Sequence, residues 1–331
     1  MDSFRVGTIE ILSNFQLSGF MRFVPDILGL RSWEQYKDMD FSKYDLIWIH
    51  MNPRIMTPAW YDYPKLIRAR APKAILVGSH EYEPQFYQQD GPFIDLSVCR
   101  MHIPPVIKKG FDYLDYWVSS NKPSWEFLKD YLTIPVLYAH ISEPKVEEEE
   151  WLPPLPWEDR NGVFTISHSV VLPMTRKFGI IKDVELSSSI ISTNKIDKTL
   201  KHLEEMAMAF QISNIKCYET LPWLEYTDVY RHNKVAFDID YIGVCRMAHE
   251  GAKLGVPTVG TNLMEYRTML YPELTVNTPE EMVEKILEVH ADGDKAKHLN
   301  NYANMIIREY WSKEAVETRT KKLLSKMGVS F

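Results

Sequence analysis

Apolar residues in the first half of the chain gather into short runs separated by polar or helix-forming stretches. FRVGTIEIL (4–12), YDLIWIHM (44–51), KAILVGSH (73–80), DYWVSS (115–120) and IPVLYAH (134–140) each predict a strand. Runs this continuous suit a parallel sheet covered on both faces, because a half-exposed strand would alternate apolar with polar residues. Between them, SWEFLKDYL (124–132) predicts a helix, with Ser124 after Pro123 as its N-cap. The proline-punctuated stretch 52–72 contains a helix that ends before Pro72, since proline disfavours helical backbone in the residue ahead of it.

The pattern then breaks. SEPKVEEEEWLPPLPWEDRNG (142–162) holds four consecutive glutamates and four prolines, poor material for a core and good material for a connection. GVFTISHSVV (162–171) starts a second alternating series. In DKTLKHLEEMAMAFQI (197–212), Leu200, Leu203, Met206 and Phe210 fall on one helical stripe. NIKCYET (214–220) and KVAFDID (234–240) predict strands, and YIGVCRMAHEGAKLG (241–255) a helix closed by Gly255 before the strand VPTVGTN. TPEEMVEKILEVHAD (278–292) opens with a capping box of Thr278 and Glu281, and the remaining chain has helical spacing. Strand-helix alternation on both sides of an acidic, proline-rich linker predicts two doubly wound α/β domains, at 1–145 and 162–331, with 146–161 between them. In such pairs a ligand sits at the carboxyl ends of the strands, in the cleft between the domains.

The totals narrow the class. At 331 residues, 45% hydrophobic and 25% charged, the chain has a globular profile and exceeds a typical single core. A net charge of −7 argues against a large nucleic-acid footprint. Cys99, Cys217 and Cys245 are scattered and form no metal or CxxC pattern, so a reducing compartment is expected. MDSFRVGTIEI lacks the regions of a signal peptide, and no apolar run approaches the ~20 residues of a membrane helix. A cytoplasmic protein is therefore expected, with peripheral association at a membrane surface left open. No GxGxxG follows the first strand of either half, which argues against a dehydrogenase. His168 and His249 have no partner at metal-ligand spacing, and Ser167 and Ser169 lack a nucleophile elbow.

If 234–240 is a strand, the turn after it presents the amides of Gly243, Val244 and Cys245 at a helix N-terminus. Such amides, with the helix dipole behind them, suit an anion of the size of a diphosphate. Arg246 in the first helical turn opposes the dipole unless an anion lies there. Glu250, about two turns from the helix start, can accept two hydrogen bonds from a ribose diol. Alternatively it is a solvated helix residue.

HEGAKLGVPTVGTNLMEY (249–266) resembles the LEAMACGTPVV segment of family 4-type retaining glycosyltransferases of the GT-B fold, the glycosyl transferases group 1. In that family a glutamate, seven residues and a second glutamate mark the donor site. Glu250 matches the second, the ribose ligand; Ile242 stands where the first, beside the donor sugar, is expected, and nearby Asp238 and Asp240 read as structural or solvated. The stretch 262–286 follows the family's course after that strand, with Glu265 at its usual acidic position. Residues 300–324 resemble its terminal helices, and 216–237 its strand, short helix and strand flanking the base. AILVGSHEYEP (74–84) resembles the family's strand ending in His-Asp, which makes His80 the catalytic candidate, with Glu81 in place of Asp. PMTRKFG (173–179) supplies Arg176 and Lys177 where the family has its Arg and Lys pair, here more closely spaced.

The resemblance implies an α/β GT-B architecture, two doubly wound Rossmann-like domains facing a central cleft. It implies transfer of a sugar from a UDP- or GDP-linked donor with retention, without metal or cofactor, the carboxy-terminal domain holding the donor. The acceptor stays open among a glycan, a lipid-linked sugar, a small molecule and a modified nucleic-acid base. A nucleotide-sugar epimerase of the same fold, hydrolysis of the donor, and a catalytically inactive nucleotide-sugar-binding protein are the alternatives; Ile242 keeps the last of these open.

Overall fold

The computed structural model describes residues 6–10, 26–29, 39–51, 62–80, 105–140, 151–165, 183–187, 214–218, 222–238, 246–262 and 265–329. The first sheet contains β1 (Val6–Glu10), β2 (Asp26–Gly29), β3 (Leu46–Met51), β4 (Ile75–His80), β5 (Tyr116–Ser119) and β6 (Val136–Tyr138), with α1 (Tyr63–Arg70), α2 (Pro105–Phe111) and α3 (Lys122–Tyr131) between strands. Its order is β2-β1-β3-β4-β5-β6 and every pair is parallel. The second unit contains β7 (Val163–Thr165), β8 (Asp183–Ser187), β9 (Asn214–Tyr218), α4 (Trp223–Arg231), β10 (Val235–Asp238), α5 (Arg246–Leu254), β11 (Thr258–Thr261), α6 (Glu265–Leu270) and β12 (Thr275–Val276). Then come α7 (Pro279–Ala291), α8 (Gly293–Trp311) and α9 (Lys313–Lys326). This sheet is also parallel throughout, in the order β12-β11-β10-β7-β8-β9.

The continuous apolar runs are explained by burial on both sides. In β3, Ile47 and Ile49 pack with Ile67 of α1 and Leu128 of α3, while Leu46 and Trp48 point to the opposite face. Leu76 and Trp117 join the first group, Val77 and Val118 the second, as the two-residue strand period requires. The second group is covered by Leu323, Leu324 and Met327 with Val329, from α9 and the residues beyond it. The last helix, grouped in the sequence with the second unit, thus packs against the first. Its amphipathic spacing says that one face is buried and leaves the partner unspecified.

Two further differences have local causes. The helix expected from Ser124 begins at Lys122, with Asn121 as its extended N-cap residue and Ser124 buried inside it. Pro123 explains the shift, because proline fits the first helical turn, where a missing N–H costs nothing. The later part of the predicted connection is folded onto the second unit: Trp151 meets Trp223 edge-on, and Arg160 is buried. Arg160 donates to the carbonyl of Leu155 and, through Nη1, to that of Gly255. Gly255 sits at φ 75°, the left-handed conformation that ends α5 as expected. Thr278 accepts from the amide of Glu281, also as expected, while the Glu281 carboxylate bonds the amide of Asn277. The helix expected at 197–212 lies outside the described residues. Among the described residues no helix is long and apolar enough to cross a membrane.

Candidate functional site

In the second sheet, β7 lies between β8 and β10, and the strand order reverses there. Such a reversal opens a crevice at the carboxyl ends of the strands, the usual ligand position in doubly wound sheets. The helix after β10 is α5, and it is buried on several sides. Ala248 and Ala252 belong to the core under α6, α7 and α8, while Met247 and Leu254 pack with Phe164, Tyr230 and Ala236. Gly251 has no room for a side chain: a Cβ there would collide with the Val256 carbonyl and come within 2.7 Å of Thr258 Oγ1 and 2.8 Å of Tyr230 Oη. This packing fixes the helix on which Glu250 sits.

Glu250 is 4% exposed, so it is not a solvated helix residue. A carboxylate that deeply placed needs hydrogen-bonding partners, and the Tyr226 hydroxyl donates to its Oε2 at 2.5 Å. Tyr226 lies one turn into α4. Its ring stacks on Trp223 at 5.7 Å and meets Phe164 and Tyr230 edge-on. Tyr226 is absent from the sequence-derived candidates. The signal available was the stripe Trp223, Tyr226, Tyr230, an i, i+3, i+7 pattern that also describes ordinary core packing.

The other candidates divide by position. His80 is the last residue of β4, at the carboxyl edge of the first sheet, in register with Met51. Arg246 opens α5, about one turn ahead of Glu250. Asp238 ends β10 opposite Gly260. Gly243, Val244, Cys245, Arg176, Lys177 and Ile242 lie outside the described residues. His249 is buried and edge-on to Trp311 at 4.8 Å, an aromatic environment rather than a ligand set. No group of three or more metal-ligating side chains occurs among the described residues.

Glu265 has a different task from Glu250. It opens α6 and reaches the first unit, accepting from the amide of Lys122 at 2.8 Å and from the Tyr138 hydroxyl at 2.6 Å. Since Tyr138 gives its one proton to Glu265, His140 Nε2 is the donor in the 2.5 Å contact with Tyr138 Oη. His140 is 2% exposed and packs edge-on against Tyr266 at 4.4 Å. Burial pushes the Glu265 carboxyl up, but the neighbouring His140, 3.7 Å away, and the bonds from Tyr138 and Lys122 together hold it below its ordinary value. Burial, reinforced by the bond to Glu265, drives the Tyr138 phenol far above its ordinary range. This cluster, with Arg319 donating to the His140 carbonyl, joins the two units.

No family model matches the sequence, and a sequence search among curated proteins finds no match. Solved structures do match in fold. Sucrose-phosphate synthase from Thermosynechococcus elongatus is similar at a TM-score of 0.62, with 11% identity over 86% of this chain and 74% of that one. HepE from Anabaena, solved with UDP and glucose, is similar at 0.59, with 12% identity over 86% and 78% of the two chains. A glycosyltransferase from Rickettsia africae matches at 0.62 and 10% identity over 100% of both. At these identities the likeness shows the fold, and that fold is GT-B: two doubly wound α/β units, as the sequence resemblance implies.

Proposed function

We propose that the protein is a glycosyltransferase that moves a sugar from a UDP- or GDP-linked donor to an acceptor. The observation that carries this reading is the buried Glu250 carboxylate in the helix after β10, beside the strand-order reversal where doubly wound sheets take their ligands. The GT-B fold, shared with a protein solved with UDP and glucose, supports it. In this reading Glu250 accepts hydrogen bonds from the ribose diol, and the amides of Gly243, Val244 and Cys245 face the diphosphate. Arg176, Lys177 and Arg246 stabilise the charge that develops there as the bond from the anomeric carbon to the diphosphate oxygen breaks. Those cations take the part a metal would otherwise play, and the anomeric carbon is handed to an acceptor oxygen or nitrogen with retention. His80 approaches the donor sugar from the first unit.

Ile242 in the place of the family's first donor-site glutamate favours a second reading, a protein that binds nucleotide sugars without turning them over. One experiment addresses both. Titrating UDP and GDP into wild type and Glu250→Gln by calorimetry should show affinity falling about ten-fold or more in the variant, since about 1.4 kcal/mol is lost per decade. Release of UDP or GDP from a panel of sugar donors then separates an enzyme from a binder. Equal affinity in wild type and Glu250→Gln refutes the donor-site assignment.

A further inference from the structure

Glu250 and Tyr226 come from different helices, so the direction of the carboxylate is set by a contact between α5 and α4. The hydroxyl of Tyr226 donates to Glu250 Oε2 at 2.5 Å. The ring bearing that hydroxyl is itself confined. It stacks on Trp223 at 5.7 Å and 29°, and meets Phe164 and Tyr230 edge-on at 5.9 and 6.0 Å. Trp223 is braced in turn by Trp151 from the connection, edge-on at 5.0 Å. On the other side, Gly251 lets α5 approach the Val256 carbonyl and Thr258 too closely for any side chain. Helix and hydroxyl are therefore both immobilised before any ligand arrives.

We propose that Tyr226 is a positioning residue for ribose recognition: it orients the Glu250 carboxylate so that a vicinal diol meets it in one geometry. The inference rests on the nucleotide reading of Glu250 given above. A carboxylate offers about four lone-pair directions. Tyr226 takes one of them and restrains the plane in which the carboxylate lies. Two adjacent hydroxyls can use a carboxylate together when that plane is fixed, whereas a freely rotating carboxylate must first be ordered by the ligand. The role assigned to Tyr226 acts through Glu250, so its contribution is read in the sugar hydroxyls.

The test compares wild type, Tyr226→Phe and Glu250→Gln by calorimetry with UDP, GDP and their 2′,3′-dideoxy counterparts. Phenylalanine keeps the aromatic stack and removes only the donor. Tyr226→Phe should lower affinity for the ribonucleotide about five- to ten-fold and leave the dideoxy compound within about two-fold of wild type. Equal loss for both compounds means that Tyr226 supports the fold of the pocket, and overturns the positioning role. Unchanged ribonucleotide affinity in Tyr226→Phe, with a loss in Glu250→Gln, also overturns it while leaving the nucleotide reading intact. If wild type binds neither nucleotide, or Glu250→Gln binds as wild type does, the nucleotide reading itself fails and this inference with it. Should Tyr226→Phe not fold, Trp223→Leu, which loosens the ring and keeps the hydroxyl, must show the same ribose-selective loss; parallel losses on both compounds would overturn the role.

Discussion

Replacing Glu265 by glutamine should loosen the junction between the two units by about 2–3 kcal/mol. The carboxylate accepts from Lys122 N at 2.8 Å and from Tyr138 Oη at 2.6 Å, one bond to each oxygen. Glutamine keeps one accepting oxygen and presents an NH2 where the other stood, so one bond is lost and the survivor no longer ends on a charge. A hydrogen bond to a charged group contributes roughly 1.5–3 kcal/mol, and the Glu265 side chain is 21% exposed, too little for water to replace it freely. Urea unfolding of wild type and Glu265→Gln at neutral pH gives the difference directly. The pH dependence has a definite sign, because the folded carboxyl lies below its ordinary value of 4.5. Its contribution is complete above that ordinary value and disappears as pH falls through the lower folded one, so the gap between the proteins should close in acid. Hydrogen exchange supplies a local check: the Lys122 amide should lose protection in the variant. A gap that is absent at neutral pH, or that persists unchanged in acid, would refute the role assigned to this carboxylate.

Leu323→Ala should cost about 2–5 kcal/mol of unfolding free energy, as expected for a buried leucine, even though it lies far along the chain from the sheet it covers; stability within about 0.5 kcal/mol of wild type would contradict the packing described. Gly251→Ala forces a Cβ to within 2.7 Å of Thr258 Oγ1 and should lower the thermal midpoint, at a cost of about 1–3 kcal/mol, and weaken nucleotide binding together. An unchanged midpoint would mean that α5 has room to shift. Arg176→Ala and Lys177→Ala should weaken UDP or GDP by about 1.5–3 kcal/mol and leave the bare nucleoside alone, since the nucleoside has no phosphate to lose a bond with; equal losses on both ligands would remove that loop from the diphosphate.

How much of this was legible in the sequence depends on whether a feature is local. The runs that became β3, β4 and β5 could be seen because their residues are buried on both faces and carry almost no polar interruption. Gly255 and Thr278 signalled helix ends because their chemistry is local, a left-handed backbone in one case and a side-chain cap in the other. Ser124 misled because proline admits the helix before it, so the cap that looked best was one turn too late. The segments that became β2 (DILG) and β8 (DVELS) mix acidic with apolar residues over a few positions and offer no continuous apolar run. At the candidate site, Glu250 stood out through resemblance, but its burial and its bond to Tyr226 depend on two helices meeting. No spacing within either helix encodes that contact. The same holds for Glu265, whose partners Lys122, Tyr138 and His140 all belong to the other unit.

The packing of α9 has a consequence for how the molecule is made. One face of the first sheet, with Leu46, Trp48, Val77 and Val118, is closed by Leu323, Leu324, Met327 and Val329. During synthesis that face is finished long before its cover exists, and it waits through production of the entire second unit. A growing chain carrying a bare aromatic and aliphatic surface invites capture by chaperones or by a neighbouring chain. Contacts so distant in sequence also form late, because a long loop must close before they give any return. The first unit therefore matures last, although it is made before the second, and a chain interrupted anywhere before Leu323 leaves that face of β3, β4 and β5 exposed.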